Sequence, residues 1–496
     1  MTRTWLVFLE KISRPKSKNS GVDAKAHQAK SDIFYTLVPI YHISKICGLL
    51  PVKFAVNKTG RYSGRLDYPQ VGYGVLLVLA LAGAQCWGLY RDLRNGWQNS
   101  TRLSSETAIT VTCSDVFAVI SVAVVAILGS SRRWRHLQRG LDKLVDVDEK
   151  LGVVTSRKLR QLSVVVISCS LVYLVVISTL DYVSWSVSSA TKNNHVYGDK
   201  GPVNYCPLYF MYVVIVAFEM QYAIVLFNVG ERFLKLNQSI EELTRTNLVV
   251  DHFRKDLALA VAEPRREISQ SISSFVSSEL GHHNRLRRAN RLICSDFTEG
   301  GGGGGASEAI DQLTTLHGTL CDSVVHVNEA YGAAILAGTI SCLIHLIITP
   351  YFLYNEIYSP NSSSWYVLIL QVFWILFHVY RLLLFVQPCY MVSVKARTTG
   401  ALVSRALAAN CDPQAKKQLE IFSVQLLQRP VEFTACGLFY LDRGLMTSIA
   451  GSVTTYLVIL VQFQNADDTK GTKHLLQNAS ELLRNVSSIK NITTVK

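Results

Sequence analysis

The chain has 496 residues, of which 49% are hydrophobic and 17% charged, and its net charge is +14. A basic balance invites a nucleic-acid reading, but the apolar residues are gathered into runs of roughly twenty, each long enough to cross a bilayer as a helix. Composition therefore excludes a soluble nucleic-acid binder and predicts an all-α, polytopic membrane protein.

The opening run Trp5–Leu9 is followed at once by Glu10 and Lys11, without a small-residue cleavage site. The first span is therefore expected to act as its own signal anchor. Residues 33–52 are apolar but interrupted by Pro39, His42, Lys45 and Pro51. They predict an interfacial or partly buried helix within a cytoplasmic segment 1–70. Seven spans are predicted near 71–90, 109–130, 162–188, 206–229, 330–354, 365–388 and 444–464. The first four fall within 71–230 and the next two within 330–388.

Segment 231–329 is long and mixed, and Gly300 to Gly305 offers no side chains to pack. Its middle, Asp251 to Ala306, is expected to be disordered, with flanks that prolong spans four and five as helices. Leu313, Leu316, Leu320 and Val324 carry the helical spacing on the span-five side. In 389–443, apolar residues from Leu402 to Phe433 alternate with charges such as Arg405, Lys416 and Arg429. That pattern predicts amphipathic cytoplasmic helices, broken near Pro413, where subunits would join.

Loop charge sets orientation. The N-terminal segment and the loops after spans two, four and six hold the Lys and Arg clusters, including Arg132, Arg133, Arg265, Arg285 and Lys395. All lie on one side if the N-terminus is cytoplasmic, and seven spans then place the tail 465–496 outside. The sequons at Asn99, Asn361, Asn478, Asn485 and Asn491 fall on the outer side as glycosylation candidates. Asn57 and Asn237 fall inside and are read as chance matches. The eleven cysteines are scattered, so buried thiols are the default, and no metal-ligand spacing, cofactor motif or catalytic constellation is evident. The protein is read as a non-enzyme.

The last apolar run, Thr455-Tyr456-Leu457-Val458-Ile459-Leu460-Val461-Gln462-Phe463, ends on a polar amide. Ser448, Ser452, Thr455, Ile459 and Gln462 recur every three or four residues and share one helical face. Such a stripe faces water, or else its small residues let helices pack closely while Gln462 bonds a neighbour.

Seven spans, an inside N-terminus and Thr-Tyr, five apolar residues, then Gln-Phe together resemble the insect gustatory receptors. Ser341-Cys342-Leu343-Ile344-His345-Leu346, Trp374-Ile375-Leu376-Phe377-His378, Arg381-Leu382-Leu383, Pro388-Cys389 and Phe433-Thr434-Ala435-Cys436-Gly437-Leu438 resemble the fructose-sensing branch. The likeness is strongest over 330–464. It implies a ligand-gated cation channel, a homotetramer whose seventh span lines a shared pore, open to co-assembly with other gustatory receptors. It also implies a multi-pass protein of the sensory-neuron plasma membrane, with a small sugar, permeant cations and membrane lipid as partners and no nucleic acid.

On that resemblance the stripe Ser448, Ser452, Thr455, Ile459 and Gln462 lines the pore, with Gln462 and Phe463 as gate and Asn465, Asp467 and Asp468 at the outer mouth. A sugar needs planar polar anchors for its hydroxyls and an aromatic face for its C–H edges. Asp181 and Trp185 of span three, and Gln371, Trp374 and His378 of span six, supply them. His345 and Thr349 of span five join them, with Tyr351 and Tyr354 nearer its outer end. His345 serves equally well as a packed histidine. Arg381 is expected to bond Glu219 or a backbone carbonyl in a structural or coupling role, with Glu219 as a member of a gating-linked ion pair. The opener is expected to be fructose or a related sugar, with a bitter or other small nutrient as alternative. A G-protein-coupled receptor would need the opposite orientation, and a secondary transporter would show paired halves with broken helices.

Overall fold

The computed structural model describes residues 32–56, 62–94, 106–151, 157–192, 201–262, 304–358, 365–409 and 413–463. In chain order these form α1 (Asp32–Ile46), β1 (Val52–Val56), β2 (Tyr62–Leu66), α2 (Tyr68–Arg94), α3 (Glu106–Leu128) and α4 (Ser130–Leu151). Then come α5 (Arg157–Lys192), α6 (Gly201–Asn204), α7 (Cys206–Ala262), α8 (Gly304–Ile357), α9 (Trp365–Ala408), α10 (Pro413–Gln428), β3 (Thr434–Ala435) and β4 (Phe439–Tyr440). A last helix, α11, covers Arg443–Phe463. Seven of these helices are long and apolar enough to cross a membrane: α2, α3, α5, α7, α8, α9 and α11.

The fourth span is the axis of the bundle. Of its most apolar window 83% is buried, against 22% in the first span. It is apolar all round, as a helix enclosed by others must be. At 57 residues α7 is about 85 Å long, nearly three times a bilayer's hydrocarbon core. It therefore continues well beyond the membrane on the basic-loop side. Helix α8, with 54 residues, does the same from the other direction. Leu313, Leu316, Leu320 and Val324 are buried along that extension. The two helices occupy more of the linker than the pattern predicted, since α7 runs to Ala262 and α8 begins at Gly304. The basic patch Arg285–Arg291 and most of the glycine run lie outside the described residues.

Three local elements differ from expectation. Helix α1 carries Pro39 inside it. It buries Ile33, Leu37 and Ile40 against the bundle, the partly buried of the two placements expected, and Thr36 Oγ1 donates to Asn228 Oδ1 of α7 at 2.8 Å. The chain then enters an antiparallel hairpin, β1 with β2, pairing Val52 with Leu66 and Phe54 with Gly64. Gly64 is required there: a Cβ would stand 2.1 Å from the Trp134 ring, whose Nε1 donates to the Gly64 carbonyl at 3.1 Å.

The second difference is α4, where basic residues had marked only a loop. Trp134, Leu137, Leu141, Leu144 and Val145 form its buried stripe. In this aqueous layer, burial stabilises by about 1.5–3 kcal/mol for each large aliphatic side chain. Arg133, counted as a loop charge, is buried and caps the preceding span, donating to the carbonyls of Ala126 at 2.8 Å and Leu49 at 2.7 Å. Asp148 receives Arg232 of α7 in a fork, with distances of 3.0 and 2.6 Å. Arg232 also holds Asn228, the residue bonded to Thr36, so one buried polar knot joins α4, α7 and α1.

Third, the segment before the last span is not wholly helical. Pro413 opens α10, as its fixed φ favours. Phe433 lies past the helix, in an extended stretch leading to the hairpin of β3 and β4. That hairpin rests on α8 at Gly332, where a Cβ would come within 3.2 Å of the Cys436 backbone nitrogen.

Where α8 meets α10, His317 is buried between the Phe233 and Phe422 rings, at 5.8 and 5.6 Å. Burial, assisted by Arg429, pushes its imidazole down from 6.5 to about 4. The folded state therefore keeps His317 neutral, while an unfolded chain protonates it below about 6.5. Stability is present above that pH and is lost as pH falls toward 4, by on the order of 3 kcal/mol. Thermal unfolding of the solubilised protein followed between pH 7 and 4 should show this loss, and His317→Gln should flatten it.

Candidate functional site

On the side away from the basic loops, Tyr205, in the turn before α7, and Tyr209 and Tyr212 of α7 set the geometry. Tyr209 and Tyr212, three residues apart, share a face of that helix. The Tyr205 ring lies 5.0 Å from Trp185 of α5. The Tyr209 hydroxyl donates to Asp181 Oδ2, one turn along α5 from Trp185. Tyr212 sits 5.4 Å from Trp374, 5.8 Å from His345 and 6.0 Å from His378. Trp374 stacks on His378 at 5.9 Å, one turn apart on α9. Gln371, three residues before Trp374, is half-buried like Asp181. Amide, carboxylate and aromatic faces therefore border one region between α5, α7, α8 and α9. Trp365, 72% exposed at the first turn of α9, stands apart, where an interfacial anchor would.

Beneath the aromatic layer runs a chain of charged and imidazole groups through four spans. Asp115 of α3 places Oδ1 3.0 Å from His345 Nε2 of α8. The His345 ring stacks on His378 of α9 at 4.4 Å. His378 Nδ1 lies 3.4 Å from Arg381 Nη1, and Arg381 Nε donates to Glu219 Oε1 of α7 at 2.9 Å. Both members of that last pair have side chains 0% exposed. The Arg381 guanidinium also lies 5.8 Å above the Tyr212 ring. His345 contacts the Ser341 hydroxyl and carbonyl, and Thr349 Oγ1 donates to the His345 carbonyl at 2.8 Å. A buried charge needs a partner, and each of these groups has one from another helix or the next turn. The chain locks spans two, four, five and six together.

The last span behaves oppositely. Its start is capped by Asp442 Oδ1, which accepts the Leu445 N–H at 3.1 Å. Arg443 lies 3.8 Å from the Tyr390 ring centre of α9. Ile449 packs with Leu346, Leu382 and Val386, joined by Leu445, Met446 and Val453. Further along, Leu457 and Leu460 touch a cluster of Val111, Ile348 and Tyr351. Yet only 6% of the span's apolar window is buried within the chain. Ser448, Thr455, Ile459, Gln462 and Phe463 are exposed and Ser452 is half-buried. The serine and threonine hydroxyls bond carbonyls four residues back, as Ser452 does to Ser448 at 3.0 Å. They need no outside partner. Gln462, with a donor and an acceptor on a longer stem, gains one from water or another chain.

Residues 37–467 match the family model described as 7tm chemosensory receptor. The chain belongs to that family. It is a receptor family, not an enzyme family. The gustatory receptor for sugar taste 43a of Drosophila melanogaster is 26% identical over 440 residues, spanning 87% of this receptor and 98% of that one. The gustatory receptor for bitter taste 66a of the same fly is 23% identical over 195 residues, 38% of this receptor and 37% of that one. Among solved structures, the insect olfactory receptor OR5 from Machilis hrabei superposes with a TM-score of 0.53 at 13% identity. The match covers 87% of this receptor and 100% of OR5. OR5 has also been solved in complex with eugenol. These structural likenesses concern the fold.

Within the receptor, the expected pocket residues divide. Asp181, Trp185, Gln371, Trp374, His378, His345 and Thr349 come together or lie within a turn of those that do. Tyr351 and Tyr354 do not: Tyr351 is buried against the cluster that meets α11, and Tyr354 pairs with Tyr358 at 4.5 Å. Asn465, Asp467 and Asp468, and the sequons at Asn99, Asn361, Asn478, Asn485 and Asn491, lie outside the described residues. Asn237 is buried, donating to the Lys395 carbonyl and accepting from Thr399. Asp115, Tyr205, Tyr209 and Tyr212 were missed. The signals were present, a lone carboxylate in an apolar run and a four-three tyrosine spacing.

Removing one member of the Glu219–Arg381 pair leaves an uncompensated buried charge, a loss of about 3–5 kcal/mol. Arg381→Met should sharply lower the melting temperature and surface yield. Glu219→Gln/Arg381→Met together should recover part of that loss, a coupling readable in a double-mutant cycle.

Proposed function

We propose that this receptor is a ligand-gated, non-selective cation channel of the sensory-neuron plasma membrane, opened by fructose or a related small sugar. Four copies would set their last spans around a shared pore. The observation that carries the reading is the last span itself, a polar stripe on a helix scarcely buried by its own subunit. In lipid an exposed apolar face needs no cover, whereas a row of polar groups ending in an amide favours water or a symmetric partner. Symmetry would turn one stripe into a polar lining, with the Gln462 and Phe463 rings as a constriction that gates by hydration. The carboxylates of Asp467 and Asp468, with Asn465 beside them at its mouth, would concentrate cations there.

The sugar assignment is supported by likeness to the sugar taste receptor over nearly that protein's whole length. Asp181, Gln371, Trp185 and Trp374 offer the carboxylate, amide and ring faces that hydroxyls and C–H edges need. The polar chain from His345 to Glu219 lies directly below and joins that region to the helices on which α11 rests. A ligand opens the pore only through a difference in affinity between closed and open states, and each 1.4 kcal/mol of difference shifts the equilibrium about tenfold. A bitter or other small nutrient is the second reading. It is favoured by the aromatic character of the region and by the partial likeness to the bitter taste receptor.

Expression of the full chain alone, with whole-cell recording under fructose, other sugars and bitter compounds, tests both. Fructose is expected to give a cation current. A current evoked by bitter compounds alone would reassign the ligand and keep the channel. Asp181→Asn should raise the half-maximal fructose concentration about tenfold or more, the loss of one charge-assisted hydrogen bond, while keeping the maximal current. Gln462→Ala should alter conductance or ion selectivity with ligand sensitivity retained. Unchanged permeation in an active Gln462→Ala channel would remove the stripe from the pore.

A further inference from the structure

Two histidines and a glutamate meet on the basic-loop side, away from the sites described above. His136 belongs to α4, and His326 and Glu329 lie one turn apart on the extension of α8. His136 Nδ1 is 2.9 Å and His326 Nδ1 is 3.1 Å from the same carboxylate oxygen, Glu329 Oε2. One ligand-capable atom from each residue lies within 4.8 Å of the other two. From this geometry we propose that His136, His326 and Glu329 form a site for a divalent transition metal, with zinc as the best match.

The donor set is two imidazoles and one carboxylate, borderline ligands that suit zinc rather than magnesium or calcium. At zinc–ligand distances of 2.0–2.1 Å, a tetrahedron separates its ligands by about 3.4 Å. The two distances to the shared oxygen are a few tenths of an ångström shorter. Binding therefore exchanges two hydrogen bonds for three metal bonds, two to nitrogen and one to oxygen, with each coordinating nitrogen free of its proton, and needs small side-chain shifts, not refolding. The side chains are 22%, 21% and 46% exposed, which leaves room for water at the fourth position.

The surrounding frame is already built. Helices α4 and α8 run antiparallel, and at the next register pair Lys143 meets Asp322 at 2.8 Å, with Arg429 on the other carboxylate oxygen at 2.7 Å. Between the two pairs, Ser323 Oγ donates to the Gly140 carbonyl at 3.1 Å. The Cβ of His326 would stand 3.5 Å from a Cβ added at Gly140. The two helices are thus in close contact where both imidazoles reach one carboxylate. Asn328, beside the site, donates to the Glu432 carbonyl at 2.9 Å, in the stretch between α10 and β3 that leads toward the last span. A bound metal bolts α4 to α8 at this junction. On the channel reading that junction is where cytoplasmic zinc would bias the pore helix.

Zinc titration calorimetry on the purified full-length protein in detergent, prepared with a histidine-free tag, tests the site without requiring channel activity. Wild type is expected to bind one more zinc ion per chain at micromolar metal than His136→Ala/His326→Ala. Cobalt loading should give visible tetrahedral ligand-field bands that the double variant loses. Glu329→Gln should weaken binding at least tenfold. Where the double variant does not fold, His326→Gln replaces it, since its amide can still bond Glu329 but is a poor zinc ligand. Equal stoichiometry and affinity in wild type and folded variants, or no binding at micromolar zinc, would overturn the proposal and leave the channel reading untouched.

Discussion

The pairing of Arg381 with Glu219 is the constraint around which the bundle is arranged. Neither charge is tolerable alone where both are fully enclosed, so α7 and α9 must meet at one register. Once they do, His378 is held beside Arg381, and its stacking fixes His345 and hence α8. The carboxylate of Asp115 then fixes α3. Apolar packing between membrane helices is nearly indifferent to small slips, because lipid tails replace lost contacts. Polar pairs are not indifferent, and they specify what greasy surfaces leave degenerate.

A second knot does the same work in the watery layer. Asp148, Arg232, Asn228 and Thr36 join α4, α7 and α1, so the long fourth helix is gripped at two heights. The two layers differ in what else holds them. The stripe of α4 from Trp134 to Val145 is driven together by exclusion from water. Within the spans, hydrogen bonds and shape decide.

The spans, the stripe of the last helix and the need of Arg381 for a partner, with Glu219 as one of two candidates, were legible because each rests on periodicity or on a charge that cannot be left alone. The elements missed share a different cause. Arg132, Arg133, Arg135 and Arg139 make α4 read as a charged loop, although its apolar residues keep a helical spacing; charge count hid periodicity. Phe433 fits a helical pattern, but its neighbours fold into a hairpin whose docking depends on Gly332, a tertiary contact that local sequence does not announce. Tyr351 was placed by depth alone. Depth sets how far a residue lies along a helix, and it does not say which side that residue faces. The meeting of His136 with Glu329 lies beyond local pattern altogether, since it requires knowing that α4 runs antiparallel to α8.

The thin attachment of the last span bears on the order in which the protein is made. A ribosome completes the first six spans, with both polar knots, before it reaches Arg443. The core formed by then lacks almost nothing, because α11 contributes little to it. Folding of the body and the seating of the final helix are thus separable events, because the contacts of the first are complete before α11 is made. Substitutions on the outward faces of α11 fall chiefly on the second event, so that helix can diverge in sequence without unsettling the body that carries it.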